Sequence, residues 1–518
     1  MPTVTYTSLE DIPKIHACAR EAFRSGKTKS IAFRKSQISQ VGYLLKDNEQ
    51  RIKDALKLDL ADTRSKPSCA FDFAAVYIEV RTAYDNLEVW AKQRKAKFHL
   101  NFVMMSPKLK AEPKGVALLV SPFNVPVFLT LSPLVSAIAG GNAVVIKPSE
   151  QTPAYSALLA KLVPEYLDND LYHVINGGPQ ETTKILELRW DHSTSYQAWN
   201  GRVGRVITEA AAKHLTPLTL ELGGKNPVVL DPKCDLKLAA RRILWGRFSN
   251  AGQVCLAPEY VLVPRTFKDT LVEAMKETYH SFYPDGPEKS NSLGRIISQA
   301  HTARIKRLID QTKGKIVVGG DADVEARYVA PTIVKDVKGD DALMQEEIFG
   351  PVLAIVPVDD VDEAIAFINA RDTPLAVYVF SQDKTFKDMV FNNTRSGAAV
   401  ANETVITAGV PGLPMGGVGA SGYGYYSGKH AFDEFTHLRV SIDNPGWVDK
   451  IAFGFRYPPY KPTKLVAMLS PSLPPRVGKT SGATTERWEF WFAVVLLGAA
   501  SVVLTVPGLG LLDSHSRH

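Results

Sequence analysis

The strongest constraint on this chain is a run of short apolar segments, each closed by a residue that stops regular structure. GVALLVSP, NAVVIKPSE, YHVING and NPVVLDP are Val-, Ile- and Leu-rich stretches ended by Pro, Asn or Gly. Between them lie helix-like stretches such as 154–167 and 203–213. Strands that are apolar on both faces must be covered on both faces, and intervening helices supply that cover. The expected fold is therefore α/β, with a doubly wound parallel sheet. A second alternating region runs from about 241 to 368. Before the first strand the chain reads as helical. Ile38, Val41, Leu44, Leu45, Ile52, Leu56 and Leu60 fall near helical spacing, and a second helix is expected over about 70–90. Residues 92–114 are basic and irregular.

At 518 residues, more than one core is expected. The net charge of +7 is modest, and the basic residues are interspersed with acidic ones. No arginine-rich arm or zinc-type Cys/His spacing is present, so neither nucleic acid nor a metal is an expected partner. Four cysteines, Cys18, Cys69, Cys234 and Cys255, make no disulfide framework and fit a reducing compartment. The first twenty residues hold Glu10, Asp11 and Lys14 without an apolar core, unlike a signal peptide.

The far end differs. Residues 490–512 carry no charge. As a helix they would measure about 34 Å, enough for a hydrocarbon core of about 30 Å. A Pro-rich linker over 455–487 precedes them. Lys461, Lys464, Arg476, Lys479 and Arg487 lie before the apolar stretch, and only Arg517 follows closely. That asymmetry leaves the large domain in the cytosol. A tail-anchored protein is expected, with the endoplasmic reticulum as its membrane.

Two segments carry candidate chemistry. In FSNAGQVCLAPEYV, Cys255 sits at a turn among small residues that would let a substrate approach the sulfur. It is either a nucleophile or a structural thiol, since an unassisted thiol is mostly protonated at neutral pH. In LTLELGGKNPVVL, Glu221 ends an apolar run and precedes two glycines. It is either a carboxylate projecting from a strand end or a solvated one. The glycines Gly417, Gly419 and Gly422 of GGVGASG match a nucleotide-binding spacing, but they follow a Pro-containing stretch and not a strand. They are read as a tight surface loop, far from the nucleotide-holding region.

Taken together, ELGGKNP and NAGQVCLAPEYV resemble the signature of the aldehyde dehydrogenase superfamily. SPFNVP at 121–126, GNAVVIKPSE at 141–150, EEIFGPV at 346–352 and LPMGGVGASGYG at 413–424 extend the likeness, in order, over about residues 30–442. QVCLAPEYV resembles the class 3 branch, which includes membrane-bound fatty aldehyde dehydrogenases.

The resemblance implies that Cys255 attacks the aldehyde to give a thiohemiacetal, that Asn124 and the Cys255 backbone N–H receive the oxyanion, and that Glu221 activates water against the thioester. It implies cofactor contacts from Lys147 and Glu150 on the adenine-side ribose, and from Glu347 and Phe349 on the nicotinamide side. Asn200 and Gly204 would flank the cofactor turn. NAD is expected before NADP, because the Glu150 carboxylate disfavours a 2′-phosphate. It further implies a cofactor domain over 1–90 and 113–222, a catalytic domain over 223–425, and a β extension over 91–112 and 426–445 that joins a homodimer.

Two positions depart from the family pattern. Trp199 stands where a glycine is usual, and an indole offers neither close backbone approach nor positive φ. Met415 stands where phenylalanine is common. The expected activity is oxidation of long hydrophobic aldehydes, fatty or apocarotenoid, to acids. The alternative, prompted by Trp199, is a catalytically weak or inactive member serving as a membrane-bound binding or scaffold protein.

Overall fold

The computed structural model describes residues 4–60, 66–99, 102–196, 201–460 and 463. Trp199, Asn200, most of the Pro-rich linker and the apolar stretch 490–512 lie outside them. No helix among the described residues is long and apolar enough to cross a membrane.

The chain divides into two compact units. The larger, Met1–Phe98 with Ser106–Asp443, contains both large sheets. In the first sheet the strands Val116–Val120, Ala143–Lys147, Tyr172–Val174, His192–Tyr196 and Leu218–Glu221 run parallel. Val116–Val120 lies in the middle, with the second and third strands on one side and the fourth and fifth on the other. Strand order therefore reverses between Val116–Val120 and His192–Tyr196, the kind of place at which open α/β sheets bind ligands outside the carboxyl ends of their strands. Every residue of VALLV and AVVIK is buried, as expected for strands covered on both faces.

The second sheet has seven strands. Asn226–Leu230, Pro258–Pro264, Val352–Val358 and Ala376–Phe380 form its centre, and antiparallel Lys315–Val318 closes one edge. The expected α/β class is observed for both sheets.

Three local readings change. The helical pattern over 38–60 is split into Ile31–Asp47 and Glu49–Leu60. Asn48 leaves the helix (φ −114°, ψ 16°), and its side-chain amide donates to the Leu44 carbonyl at 3.1 Å. A short polar side chain that competes for backbone bonds breaks a helix whose apolar period continues. The irregular basic segment contains strands Arg94–Lys95 and Lys108–Pro113, which join Thr436–Ser441 in a three-stranded antiparallel sheet. Its partner lies more than three hundred residues away, so local sequence carries no sign of the pairing.

The third change concerns the glycine cluster, which is not a simple surface loop remote from the first sheet. Gly422 and Tyr423 pair antiparallel with Glu221 and Leu220, extending that sheet at its edge. The smaller unit comprises His99–Met105 and the chain from Asn444 onward. Met105, Val448 and Phe453 form its core, with Phe102 and Phe455 against them. Phe455, expected at the start of the linker, is thus packed in that unit.

Candidate active site

Two strand ends and two strained loops assemble the site. Glu221 is the last residue of Leu218–Glu221 in the first sheet. Cys255 lies in the turn before Pro258–Pro264 in the second. The helix Leu236–Phe248 leads into that turn, where Asn250 (φ 51°) and Ala251 (φ 53°) are both left-handed. Two such residues in succession cost about 1–3 kcal/mol each, so surrounding bonds must hold the turn.

Those bonds are on hand. The Asn250 side-chain amide donates to the backbone carbonyls of Asn124 (2.9 Å) and Gln253 (3.1 Å). The Gln253 amide donates to the carbonyls of Asn250 and Arg295, and its oxygen accepts from the Ile297 N–H. Asn226 donates to the carbonyls of Cys255 (2.7 Å) and Ala257 (3.1 Å). Tyr378 donates its hydroxyl to the Leu256 carbonyl at 2.6 Å. Gly252 is required for a separate reason. A Cβ there would meet the Gly350 carbonyl oxygen at 2.2 Å, so the Cys255 loop lies directly against the EEIFGP loop.

The thiol of Cys255 is free and only 5% exposed. Burial pushes its pKa well above the usual range, and the carboxylates of Glu221 and Glu347 push it further. Burial also lifts Glu221, 1% exposed, to about 7, with the Cys255 thiol and the Gly223 amide moderating the rise. Neither Glu221 oxygen makes a hydrogen bond of full geometry among the described residues. A thiol and a carboxyl that both resist ionisation, side by side, titrate as a coupled pair, with the carboxyl the first of the two to ionise.

Asn124 reaches the same place from the loop after Val116–Val120. It is buried, and its side-chain amide donates to the Gln253 carbonyl at 3.1 Å. Phe349, also buried, holds a positive φ of 47° and packs edge-on against Phe123 at 5.8 Å. The residues expected from sequence as nucleophile, base, oxyanion donor and nicotinamide-side contacts are therefore gathered at one junction between the sheets.

Over residues 1–441 the chain matches the aldehyde dehydrogenase family. It belongs to that family. Two relatives from Rattus norvegicus place it in the class 3 branch. Aldehyde dehydrogenase family 3 member B1 is 42% identical over 450 residues, covering 87% of this chain and 95% of the relative. Aldehyde dehydrogenase family 3 member A2 is 42% identical over 446 residues, covering 86% and 91%. The fold matches the substrate-bound state of Staphylococcus aureus AldH with a TM-score of 0.81 at 36% identity, over 86% of this chain and 98% of that one. It also matches a Mycobacterium tuberculosis aldehyde dehydrogenase complexed with NAD+, with a TM-score of 0.74 at 26% identity, over 85% and 91%.

In this aldehyde dehydrogenase, Lys147 and Glu150 lie at the carboxyl end of Ala143–Lys147. The buried Lys147 amine donates to the Glu150 carboxylate at 2.6 Å, and the Lys147 carbonyl accepts from the Ser121 N–H at 3.0 Å. A Cβ at Gly204, in helix Gly201–Ala212, would meet the tip of the Leu222 side chain at 2.6 Å and force it to move. The glycine lets the helix approach the residue next to Glu221. Met415, the milder departure, is buried and bridges Tyr426.

Sequence reasoning assigned no role to the ions beneath the EEIFGP loop. Arg247 is fully buried and donates to the Pro258 carbonyl (3.0 Å), to Glu259 (2.6 Å) and to the Gly350 carbonyl. Glu259 also accepts from the Ile348 N–H and from Lys225, both at 2.9 Å. Lys225 reaches the carbonyls of Leu343 and Glu346, and Arg304 those of Glu347 and Ile348. Burial alone would raise the Glu259 carboxyl, but Arg247 and Lys225 hold it at about 2. Lys225 stood inside ELGGKNP and Glu259 inside APEYV; only their contacts reveal the shared task.

Arg247→Met leaves Glu259 buried with one cation fewer. A loss of about 3–5 kcal/mol is expected, as for other broken buried ion pairs. Denaturant unfolding measures it. A loss below about 1 kcal/mol would mean that Lys225 alone suffices.

Proposed function

We propose that this chain oxidises long hydrophobic aldehydes, fatty or apocarotenoid, to carboxylic acids with NAD, NADP being the second choice. The observation that carries the reading is the buried Cys255–Glu221 pair, with Glu221 lifted to about 7 beside a thiol lifted further. Glu221 accepts the thiol proton and Cys255 Sγ bonds to the carbonyl carbon, while the carbonyl electron pair moves onto oxygen. The Asn124 side-chain amide and the Cys255 backbone N–H receive that oxyanion. When bound, NAD supplies the hydride acceptor that the conversion to a thioester requires. Glu221 gives up the thiol proton to solvent and, as a carboxylate again, takes a proton from water, whose oxygen attacks the thioester; the C–S bond breaks and Cys255 leaves as the thiol with the proton from Glu221.

The residues present fit a dinucleotide. Ser121 Oγ and Ser195 Oγ, at the carboxyl ends of the two strands where the order reverses, are buried without hydrogen-bond partners among the described residues. Polar atoms left this way are what a phosphate- or ribose-bearing ligand satisfies. Lys147 and Glu150 would hold the adenine-side ribose, Asn200 and Gly204 the cofactor turn, and Glu347 and Phe349 the nicotinamide side. Glu347 has no ion pair among the described residues, and burial, then Glu259 and Glu221, keep its pKa well up. A group so placed suits hydrogen bonding to a ribose.

The apolar stretch 490–512 supports a membrane anchor and, with it, a substrate that partitions into lipid. The large domain then lies on the cytosolic side of the endoplasmic reticulum, and the β extension joins two copies in a homodimer. The test is NADH production by the full chain in vesicles, with hexadecanal, an apocarotenal and propanal compared at equal concentration. The expected kcat/KM is at least about tenfold higher for the long aldehydes, as burying several methylenes allows. Equal or better use of propanal overturns the substrate reading.

A further inference from the structure

The smaller unit has a core on one side and an uncovered apolar set on the other. Met105, Val448 and Phe453 point inward. Trp447 (48% exposed), Ile451 (74%) and Tyr460 (68%) lie open, and so do Val103, Met104 and Tyr457. Trp447 and Ile451 are four residues apart in one helical run, which puts them on the same face. Scattered exposed apolar residues need no explanation, but this many in one short unit do. The charges fit one kind of partner. From 444 to 464 the basic residues are Lys450, Arg456, Lys461 and Lys464, against Asp449 alone. Asp449 is already bound by Arg456 (2.9 Å) and by the Tyr457 hydroxyl (2.7 Å). Trp and Tyr beside Lys and Arg is the composition that settles at the boundary between lipid headgroups and acyl chains.

We infer that this face of the smaller unit, centred on Trp447 and Ile451, lies in the interface of an anionic bilayer. The inference rests on reading 490–512 as an anchor. Residues 461–489 join the face to that stretch, and even fully extended they reach about 100 Å. The bilayer is therefore always within range, and a contact too weak to recruit the chain from solution is favoured once the chain is tethered.

The test uses the full chain in phosphatidylcholine–phosphatidylserine vesicles, with flotation to score attachment. Bromine-labelled lipid scores which indoles enter the interface. Trp447→Phe is expected to remove about a third of the bromine-quenched fluorescence, since two further indoles, Trp488 beside the apolar stretch and Trp491 within it, also report. Trp245→Phe, at an exposed indole outside the unit, is expected to leave quenching unchanged. A chain that floats but shows the same quenching after Trp447→Phe overturns the interfacial face and leaves the anchor standing; an indole covered by a second copy of the chain gives that result. A chain that does not float overturns both.

Discussion

Cys255→Ala is expected to lower the turnover of aldehyde oxidation by about 10⁴-fold or more, the scale seen when an enzyme's nucleophile is removed. Neither Cys18 nor Cys234 replaces it. Cys18 is exposed on helix Asp11–Arg24, and Cys234 lies just before helix Leu236–Phe248, its pKa pushed up to about 11 by burial and then by Asp231 and Asp235. The fold should survive, because the Cys255 loop is held by bonds to its backbone and neighbours, from Asn226, Gln253 and Tyr378, and not by the sulfur. Steady-state NADH formation gives the rate, and NADH fluorescence titration with circular dichroism checks binding and folding. Activity within tenfold of the parent, in folded protein, would remove the thiol from the mechanism.

Glu221→Gln separates catalysis from stability, and the two effects run in opposite directions. Turnover should fall by about 10²–10⁴-fold, the usual contribution of a positioned base. Water attack on the thioester is the step most exposed to this loss, so a burst of NADH followed by slow turnover is the expected trace. In the parent enzyme, activity should rise with pH through about 7 as Glu221 ionises, and that limb should vanish in the variant. The apparent value belongs to the Glu221–Cys255 pair as a unit.

Stability follows from the same shift. The carboxyl titrates near 4.5 in the unfolded chain and near 7 in the folded one, so the folded state favours the protonated form. Stability is then lost as pH rises from about 4.5 to 7, by up to about 3 kcal/mol at 1.36 kcal/mol per unit. Glutamine bears no charge and escapes that loss. The variant should match the parent near pH 4.5 and exceed it at pH 8. Cys255 adds nothing to this window, since its thiol stays neutral in both states below about pH 8. Thermal unfolding at the two pH values decides the matter; a variant less stable at pH 8 than at pH 5, relative to the parent, would contradict a buried ionising carboxyl.

The α/β class and the chemical motifs were legible in the chain because they are local. A buried parallel strand needs apolar residues on both faces, so VALLV and AVVIK mark themselves. Cys255 at a turn and Glu221 at a strand end were readable from the residues around them, and family resemblance supplied their pairing. Where a reading depended on distant partners, the local pattern carried nothing. In the basic segment before Pro113, Lys108–Pro113 pairs with Arg94–Lys95 and with the distant Thr436–Ser441, strands that the local pattern does not mark. GGVGASG reads as a remote loop, yet Gly422 and Tyr423 extend the first sheet beside Glu221.

The sequence by itself determined which side chains are available for chemistry and which segments must be buried, since both follow from residue type and short-range period. The tertiary structure alone decided how those groups behave. Glu221 is an ordinary carboxylate until the meeting of two sheets removes water from it and sets a buried thiol alongside. Arg247, Glu259 and Lys225 are three unremarked charges until packing makes them one support beneath the Glu347–Phe349 loop. Desolvation and long-range contact are properties of the packed molecule, and no window of neighbouring residues contains them.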